Sequence, residues 1–384
     1  MNQQKLIEGI TFHFEETFNQ KPLLVFSPGR INLIGEHTDY NDGFVFPAAI
    51  DKGIVAAISK SKNDFCHITA LDINETLKFT FNDIVPKENG SWENYILGVV
   101  YEIKKTGKQI GNFNLVFAGD IPGGAGLSSS AALENSVVFG LNTLFQLGYS
   151  KEEMIFISQR AEHNFVGVKC GIMDQYASMF GQENKALLLD CRSIEATEYE
   201  IDFKDYQLLL INTNIKHTLS ESAYNNRRST CEKIASMLKV KALRDVNIEE
   251  LDTIKDKLHI EEYLQASYII HENKRVLKAS EALDDNDLNA FGNLLFASHN
   301  GLQNCYEVSC EELNFLVDKA KNNPDIIGAR MMGGGFGGCT LNLIRKSAID
   351  EFSTYISASY KEQFNVDCNI YNVQISKGTH LINS

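Results

Sequence analysis

Residues 119–131 read Gly119-Asp120-Ile121-Pro122-Gly123-Gly124-Ala125-Gly126-Leu127-Ser128-Ser129-Ser130-Ala131. The pattern before them predicts a strand over 112–117, and the pattern after them predicts a helix over 129–147. Free N–H groups and the positive end of the helix dipole make such a strand-to-helix turn favourable for phosphate. The turn lacks the Gly-Lys-Ser/Thr ending of a Walker A loop, so a phosphate bound there would depend on backbone amides and a metal ion, with Ser130 as a candidate Mg²⁺ ligand. A glycine-rich turn with a serine helix cap explains the segment equally well.

The rest of the chain divides into a mixed first half and a helix-rich second half. The sequence predicts a first helix over 4–19, and residues 218–320 have an almost entirely helical pattern. Further strands are predicted at six places: 23–26, 44–50, 53–59, 186–190, 207–212 and 339–344, with a last one near 369–376. The change of character places a domain boundary near residue 195, which gives domains 1–195 and 196–384. Because strands and helices do not alternate regularly, the predicted fold class is α+β, with mixed sheets and helices segregated beside them.

Charge and composition exclude several classes of protein. The chain has 36 Lys+Arg and 50 Asp+Glu, a net charge of −14, so we expect no nucleic-acid partner. The eight cysteines show no zinc-binding spacing and are predicted to be free thiols in a reducing compartment. No secretory signal pattern and no apolar run of membrane-spanning length is found, so we expect a cytoplasmic protein without a membrane partner.

A dense polar segment follows the strand predicted at 23–26. It reads Pro28-Gly29-Arg30-Ile31-Asn32-Leu33-Ile34-Gly35-Glu36-His37-Thr38-Asp39-Tyr40-Asn41-Asp42-Gly43. A solvated loop is the ordinary interpretation of charged residues between strands. The apolar side chains within the segment should anchor it to a core, which would hold four polar side chains on a rigid frame: Arg30, Glu36, His37 and Asp39. Fixed donors and acceptors of this kind suit a polyhydroxylated ligand.

Two later segments carry further candidates. Residues 162–176 contain Glu162 near a predicted helix end and Asp174 beside a glycine turn. Either could instead be an ordinary surface carboxylate, since most Asp and Glu residues lie at the surface. Residues 331–340 formally contain Gly-x-Gly-x-x-Gly at 333, 335 and 338. These glycines lead into a strand rather than opening a helix, so a Rossmann site is rejected. A glycine strand lining a nucleotide cleft, or a tight bend between strands, fits better.

Together these segments resemble the galactokinases, within the GHMP small-molecule kinases that include homoserine, mevalonate and phosphomevalonate kinases. Residues 29–41 are similar to the galactokinase signature, and 170–175 and 224–228 also resemble that family. Residues 124–130 and the glycine run at 331–340 are similar to the wider family. The resemblance covers essentially the whole chain, in order.

The resemblance implies a two-domain fold in which ATP and a sugar meet in the cleft between the domains. It implies sugar contacts from Glu36, His37, Thr38, Asp39, Asp174 and Tyr224. It implies nucleotide contacts from Gly124, Ala125, Gly126, Leu127, Ser128, Ser129 and Ser130, with Trp92 near adenine. Ser130 and Glu162 would hold Mg²⁺. Asp174 would be the catalytic base and Arg30 its electrostatic partner, which would keep the carboxylate ionised.

The activity implied is ATP- and Mg²⁺-dependent phosphorylation of galactose at the anomeric hydroxyl, the first committed step of galactose use, by a monomer. A sister kinase for N-acetylgalactosamine, galacturonate or arabinose would share the phosphate-binding residues and differ in the sugar pocket. A catalytically silent sensor of sugar and ATP is an alternative of another class. It predicts damage at Arg30, Ser130, Glu162 or Asp174, and all four positions keep the expected residue.

Overall fold

The computed structural model describes residues 3–88, 92–216 and 220–382. Its helices are α1 (Gln3–Phe18), α2 (Trp92–Lys105), α3 (Ser129–Phe145), α4 (Lys151–Ala161), α5 (Met173–Phe180), α6 (Ser220–Leu238), α7 (Ile248–Asp252), α8 (Ile260–Asp284), α9 (Leu288–Asn304), α10 (Glu311–Lys321) and α11 (Ile349–Phe364). Its strands are β1 (Leu23–Asn32), β2 (Phe44–Val45), β3 (Pro47–Lys60), β4 (Cys66–Ala70), β5 (Glu75–Phe79), β6 (Phe113–Gly119), β7 (Lys185–Asp190), β8 (Glu195–Glu200), β9 (Tyr206–Lys216), β10 (Ile326–Met331), β11 (Gly337–Arg345), β12 (Asn369–Asn372) and β13 (His380–Leu381).

Three sheets organise these elements. A six-stranded sheet has the order β13-β1-β3-β6-β4-β5, a four-stranded sheet the order β10-β11-β9-β12, and a three-stranded sheet the order β2-β7-β8. Strands β4 and β6 run parallel, whereas β1, β3 and β6 form antiparallel pairs. Helices α6–α10 follow one another without an intervening strand. The predicted α+β class is confirmed.

The first strand is longer than predicted and enters the polar segment. β1 continues to Asn32, because residues 30–32 pair with residues 47–49 of β3 after a register shift between Pro28 and Arg30. Polar side chains in the strand are buried here: Ser27 and Asn32 are 0% exposed, and Arg30 is 4% exposed. The sequence pattern failed at this point because polar residues ordinarily mark the end of a buried strand.

The end of the chain returns to the first sheet. Strand β13 pairs with β1 through Val25–Leu381 and Phe26–His380. The three-stranded sheet also joins distant parts of the chain, since β2 pairs with β7, which pairs with β8.

The domain boundary near residue 195 stays a prediction. No helix in the described ranges is both long enough and apolar enough to cross a membrane.

Candidate active site

A cavity of about 220 Å³ brings together residues from both halves of the chain. Its walls include eight of the predicted site residues: Arg30, Glu36, His37, Asp39, Ser130, Glu162, Asp174 and Tyr224. They come from β1 and the loop after it, from the start of α3, from the turn directly after α4, from α5, and from α6. Gly333 and Gly334, in the turn between β10 and β11, complete the wall from the second half.

The Asp174 carboxylate is held by a donor on each oxygen. Arg30 Nε donates to Oδ1 at 2.8 Å, and Ser128 Oγ donates to Oδ2 at 2.5 Å. Arg30 also donates through Nη1 to the carbonyl of Gly126 at 2.6 Å. Burial opposes the charge of Arg30, but the neighbouring carboxylates of Asp174 and Glu36 outweigh it and raise the arginine's pKa. Asp174 is therefore a fixed acceptor at the wall, 27% exposed, and paired with a permanent cation.

The glycine-rich loop presents backbone rather than side chains. Gly124 and Gly126 have φ values of +70° and +71°, which favour glycine, while the side chains of Ala125 and Leu127 are 1% exposed and packed in the core. Ser128 precedes α3 but makes no capping hydrogen bond, because its hydroxyl goes to Asp174. The serine-cap interpretation of this segment is therefore wrong. Without that cap, the α3 N-terminus keeps free amides for an anion.

The two glycine-rich segments lie against each other. A smaller cavity of about 140 Å³ is lined by Gly124 and Gly126 on one side and by residues 332 and 334–338 on the other. A Cβ added at Gly333 would lie 3.3 Å from the carbonyl oxygen of Gly126. The late glycine run is the bend between β10 and β11, as one interpretation of the sequence expected, and it faces the predicted phosphate loop.

Ser130 and Glu162 form a hydroxyl–carboxylate pair in the main cavity. Glu162 is 6% exposed and begins a π-helical turn, Glu162–Val166, a distortion frequent at functional sites. Burial raises the pKa of Glu162 to about 7, with the Ser130 hydrogen bond acting in the opposite direction. A cation bound beside Glu162 would offset the unfavourable burial of its carboxylate charge. Hydroxyl and carboxylate oxygens suit Mg²⁺, whereas the described residues contain no cluster of three or more His, Cys, Asp or Glu side chains placed to hold a metal alone.

The loop after β1 turns Glu36, His37 and Asp39 into the cavity. Glu36 Oε1 accepts from Arg330 Nη2 at 2.6 Å and from the backbone N–H of Gly333 at 2.8 Å. Thr38 is not brought to the cavity. Its side chain is 0% exposed, and its hydroxyl donates to the carbonyls of Gly35 and Phe44. The Thr38 side chain therefore holds the loop rather than lining the cavity, and its contact with the sugar stays a prediction.

Comparison with known proteins gives the family. The Galactokinase galactose-binding signature matches residues 13–60, the GHMP kinases N terminal domain matches 94–182, and the GHMP kinases C terminal matches 279–362. A galactokinase of Thermotoga petrophila is 39% identical over 93% of this chain and 99% of its own. A galactokinase of Clostridium beijerinckii is 40% identical over 93% of this chain and 94% of its own. The chain belongs to the galactokinase family.

Solved structures agree with that assignment. The structure of Lactococcus lactis galactokinase complexed with galactose matches with a TM-score of 0.93 and 33% identity, covering 98% of this chain and 100% of that one. Methanococcus jannaschii mevalonate kinase matches with a TM-score of 0.66 at 18% identity over 93% of this chain and 99% of its own, which shows a shared fold. As a member of the galactokinase family, the chain is a kinase, and the resemblance read from its motifs is confirmed.

Of the two aromatic residues predicted to contact a galactokinase's ligands, Tyr224 lies at the main cavity and Trp92 does not. Tyr224 on α6 lines it, with its ring centroid 5.2 Å from that of His37. Trp92 lines neither cavity: its side chain is 9% exposed, its indole N–H donates to Glu75, and its ring packs against Phe117. The structure does not bring Trp92 to the site residues, and its contact with adenine stays a prediction.

Sequence reasoning missed Arg330, Gly171 and the bond from Ser128 to Asp174. Arg330 stands in an apolar stretch, and a lone arginine before the glycine run is the signal that was available. Gly171 leaves room for Asp39, since a Cβ added there would lie 2.0 Å from Oδ2 of that carboxylate. The Ser128 bond left no signal, because a serine in a glycine-rich loop fits a phosphate contact equally well.

Asp39 should make stability depend on pH. Burial, followed by the charge of Asp174, raises its pKa from 3.8 to about 7. Between these values the folded protein holds a proton that the unfolded chain releases, so the free energy of unfolding falls as pH rises from 3.8 to about 7 and stays at its lower value above that. We expect Asp39→Asn to raise the Tm of the sugar-free protein by at least about 2 °C at pH 8. The gain should shrink steadily towards pH 4.

Calorimetric melting of both proteins across that pH range tests the expectation. The exposed Asp64→Asn on the β3–β4 connection is the matched control and should show no such trend. A Tm gain for Asp39→Asn that stayed constant from pH 4 to pH 8 would assign the effect to packing rather than to charge.

Proposed function

We propose that this chain transfers the terminal phosphoryl group of ATP to the anomeric hydroxyl of galactose, giving galactose 1-phosphate and ADP. The observation that carries the proposal is one cavity holding the Arg30–Asp174 pair beside the Ser130–Glu162 pair, with Glu36, His37 and Asp39 on the same wall. The family relationship supports galactose over other sugars, since the relatives named above are galactokinases.

Asp174 is the group proposed to accept the proton of the attacking hydroxyl. Arg30 and Ser128 each occupy one oxygen, and a carboxylate oxygen accepts more than one hydrogen bond, so acceptor capacity remains towards the cavity. The cation of Arg30 holds one oxygen of Asp174 and offsets negative charge on the transferring phosphoryl group. The base is thus oriented before substrate binds, which lowers the cost of reaching the reactive geometry.

Phosphate is proposed to bind at the N-terminus of α3. The loop from Gly124 to Ser130 would contribute amides, because its buried side chains fix the backbone and no side chain caps the helix. Mg²⁺ bound with ATP would supply positive charge to the phosphates and would be held by Ser130 and Glu162. Glu36, His37, Asp39 and Tyr224 would orient the sugar hydroxyls.

We also propose a cytoplasmic monomer. All eight cysteines are free thiols, which supports a reducing compartment. The main cavity gathers the proposed sugar, metal and base residues from both halves of this chain, which supports a site formed within a monomer.

The substrate test is ADP release with MgATP across a panel of monosaccharides. Galactose should exceed glucose, its C4 epimer, by at least about 10²-fold in kcat/KM, because a pocket that hydrogen-bonds a hydroxyl rejects an analogue that leaves its buried groups unpaired. The panel includes N-acetylgalactosamine, galacturonate and arabinose. A preference for one of these sugars, or comparable use of glucose, would contradict galactose as the substrate. No ADP release with any sugar would support the silent sensor.

Glu162→Gln should separate metal use from sugar binding. The substitution keeps shape but removes the charge facing the cavity, so we expect a higher Mg²⁺ concentration for half-maximal activity and lower turnover. Galactose affinity, measured by calorimetry, should stay nearly unchanged. Glu281→Gln, an exposed glutamate on α8, is the matched control. Normal Mg²⁺ dependence combined with lost galactose affinity would move Glu162 into the sugar site.

A further inference from the structure

The π-helical turn that carries Glu162 packs against helix α2. The two helices approach closely where α4 ends, since a Cβ added at Gly98 of α2 would lie 2.8 Å from the Cβ of Ala161. One turn further along α2 stands Glu102, whose side chain is 2% exposed. Glu102 lines neither the main cavity nor the smaller one, so any effect that it has on the site acts through its neighbours.

The carboxylate of Glu102 bridges the residues on either side of Glu162. Arg160 Nε donates to Oε2 at 3.0 Å, and Asn164 Nδ2 donates to Oε1 at 2.8 Å. Side chains four positions apart lie on one face of a helical turn, so both donors point towards α2. Glu162, midway between them, is directed to the other side, where it lines the main cavity. A third donor, Lys105 on α2 itself, lies 3.3 Å from Oε1 and is not part of the turn.

The geometry of the turn makes such support necessary. The backbone N–H of Gly167 donates to the carbonyl of Glu162 at 2.9 Å, five positions back rather than the four of an α-helix. Turns of this kind are rare, and short helical segments depend on tertiary contacts for their stability. Hydrogen bonds to a carboxylate are about twice as strong as those between neutral groups. We therefore expect the contacts with Glu102 to decide where the turn places the side chain of Glu162.

We propose that Glu102 is a positioning residue for the metal site. By holding the residues before and after Glu162, it keeps the Glu162 carboxylate beside Ser130, where Mg²⁺ is proposed to bind. The inference rests on the proposed function in naming Glu162 as a Mg²⁺ ligand. Residues that orient a metal ligand contribute to metal affinity without touching the metal. If Glu102 merely joined α2 to α4, its loss would instead weaken the binding of all ligands alike.

Calorimetric titration of ADP with and without Mg²⁺ measures the contribution of the metal to nucleotide affinity, and it needs no turnover. Glu102→Gln keeps the shape of the side chain but removes its charge and one acceptor. We expect the gain in ADP affinity due to Mg²⁺ to shrink by about 10-fold, the lower end of the usual cost of losing a residue that orients a metal ligand. The affinities for metal-free ADP and for galactose should stay nearly unchanged. An equal loss in all three affinities, or no loss in any, overturns the proposal.

Asn164→Ala breaks the same contact from the side of the turn, and it serves if Glu102→Gln folds poorly, because Asn164 is exposed. It should cause a similar loss that is specific to Mg²⁺. The double variant should lose little more than Glu102→Gln alone, since both substitutions break one contact. Lys105→Met is the matched control: it removes a donor to Glu102 but leaves the contacts with the turn, so the gain due to Mg²⁺ should persist. A wild-type gain in Asn164→Ala, or an equal loss in Lys105→Met, contradicts the positioning role.

Hydrogen exchange observes the turn without metal or substrate. In Glu102→Gln the backbone amides of residues 163–167 should exchange at least about 10-fold faster than in wild type, because a hydrogen bond to a charged group that held the turn is lost. The amides of α8 should be unaffected, and unchanged exchange in the turn would refute the inference.

Glu162→Gln in the same ADP titrations separates the inference from the proposed function. If Glu162→Gln loses the gain due to Mg²⁺ while Glu102→Gln keeps it, the inference fails and the proposed metal site stands. If Glu162→Gln itself keeps the gain, the proposed metal site fails, and the role of Glu102 in it fails as well.

Discussion

Asp174→Asn should lower turnover with galactose by about 10²- to 10⁴-fold, the usual contribution of a positioned general base. The amide keeps the shape of the carboxylate and still accepts from Arg30, but it has no basic lone pair for the proton of the anomeric hydroxyl. Galactose affinity should change far less, because an amide still hydrogen-bonds the sugar. Steady-state ADP release gives the turnover, and calorimetric titration of galactose gives the affinity.

Arg30→Ala, alone and combined with Asp174→Asn, tests whether the two residues act as one unit. Arg30 is 4% exposed and bonds both Asp174 and the Gly126 carbonyl, so its loss removes charge stabilisation and loosens the base at once. Since both residues act as one unit, the double variant should be little slower than the slower single variant. Asp64→Asn, exposed and outside the cavity, should behave as wild type. If Asp174→Asn keeps more than about a tenth of wild-type turnover, base catalysis is too small to matter, and Asp174 is only a sugar ligand.

The main elements of the fold were predictable because they depend on local pattern. Helical periodicity between 218 and 320 predicted the run from α6 to α10, and the glycine turn before residue 129 predicted the start of α3. β1 was cut short at residue 26, because its polar side chains are satisfied by partners far away in the chain. Ser27, for example, bonds the hydroxyls of Ser178 and Thr379. Strand β5 was missed because only two of its five side chains are buried.

The residues that line the cavity were predictable as a set, but the residues that hydrogen-bond to them and orient them were not. Motif resemblance named the residues that line the cavity, since motifs record residue types at fixed spacing. The groups that orient them come from distant sequence: Arg330, for example, reaches Glu36 across 294 positions. No local pattern encodes such pairs. Thr38 shows the converse, because its position in the motif suggested a ligand while its hydroxyl is used inside the loop.

Arg330→Met should be strongly destabilising. Arg330 is 0% exposed, and its guanidinium donates to Glu36 at 2.6 Å and to the carbonyls of Leu33 and Asn32 at 2.8 Å each. Removing one partner of a buried ion pair leaves the other charge uncompensated, at a cost of about 3–5 kcal/mol. The Tm of the sugar-free protein should therefore fall by on the order of 5–10 °C. Galactose should also bind more weakly, because Arg330 fixes one oxygen of Glu36 and so orients the other.

A second substitution decides whether charge is the cause. In Arg330→Met/Glu36→Gln the uncompensated carboxylate is gone, so stability should recover in part, although sugar affinity should not. Arg330→Lys should fall between wild type and Arg330→Met, since lysine keeps the charge but cannot reach Glu36 and two carbonyls with a planar fork. Thermal and urea unfolding measure stability, and calorimetry measures galactose affinity. A double variant less stable than Arg330→Met would mean that the arginine acts through the carbonyls of Leu33 and Asn32. Its role would then be to hold β1 and the sugar loop against β10, rather than to balance the charge of Glu36.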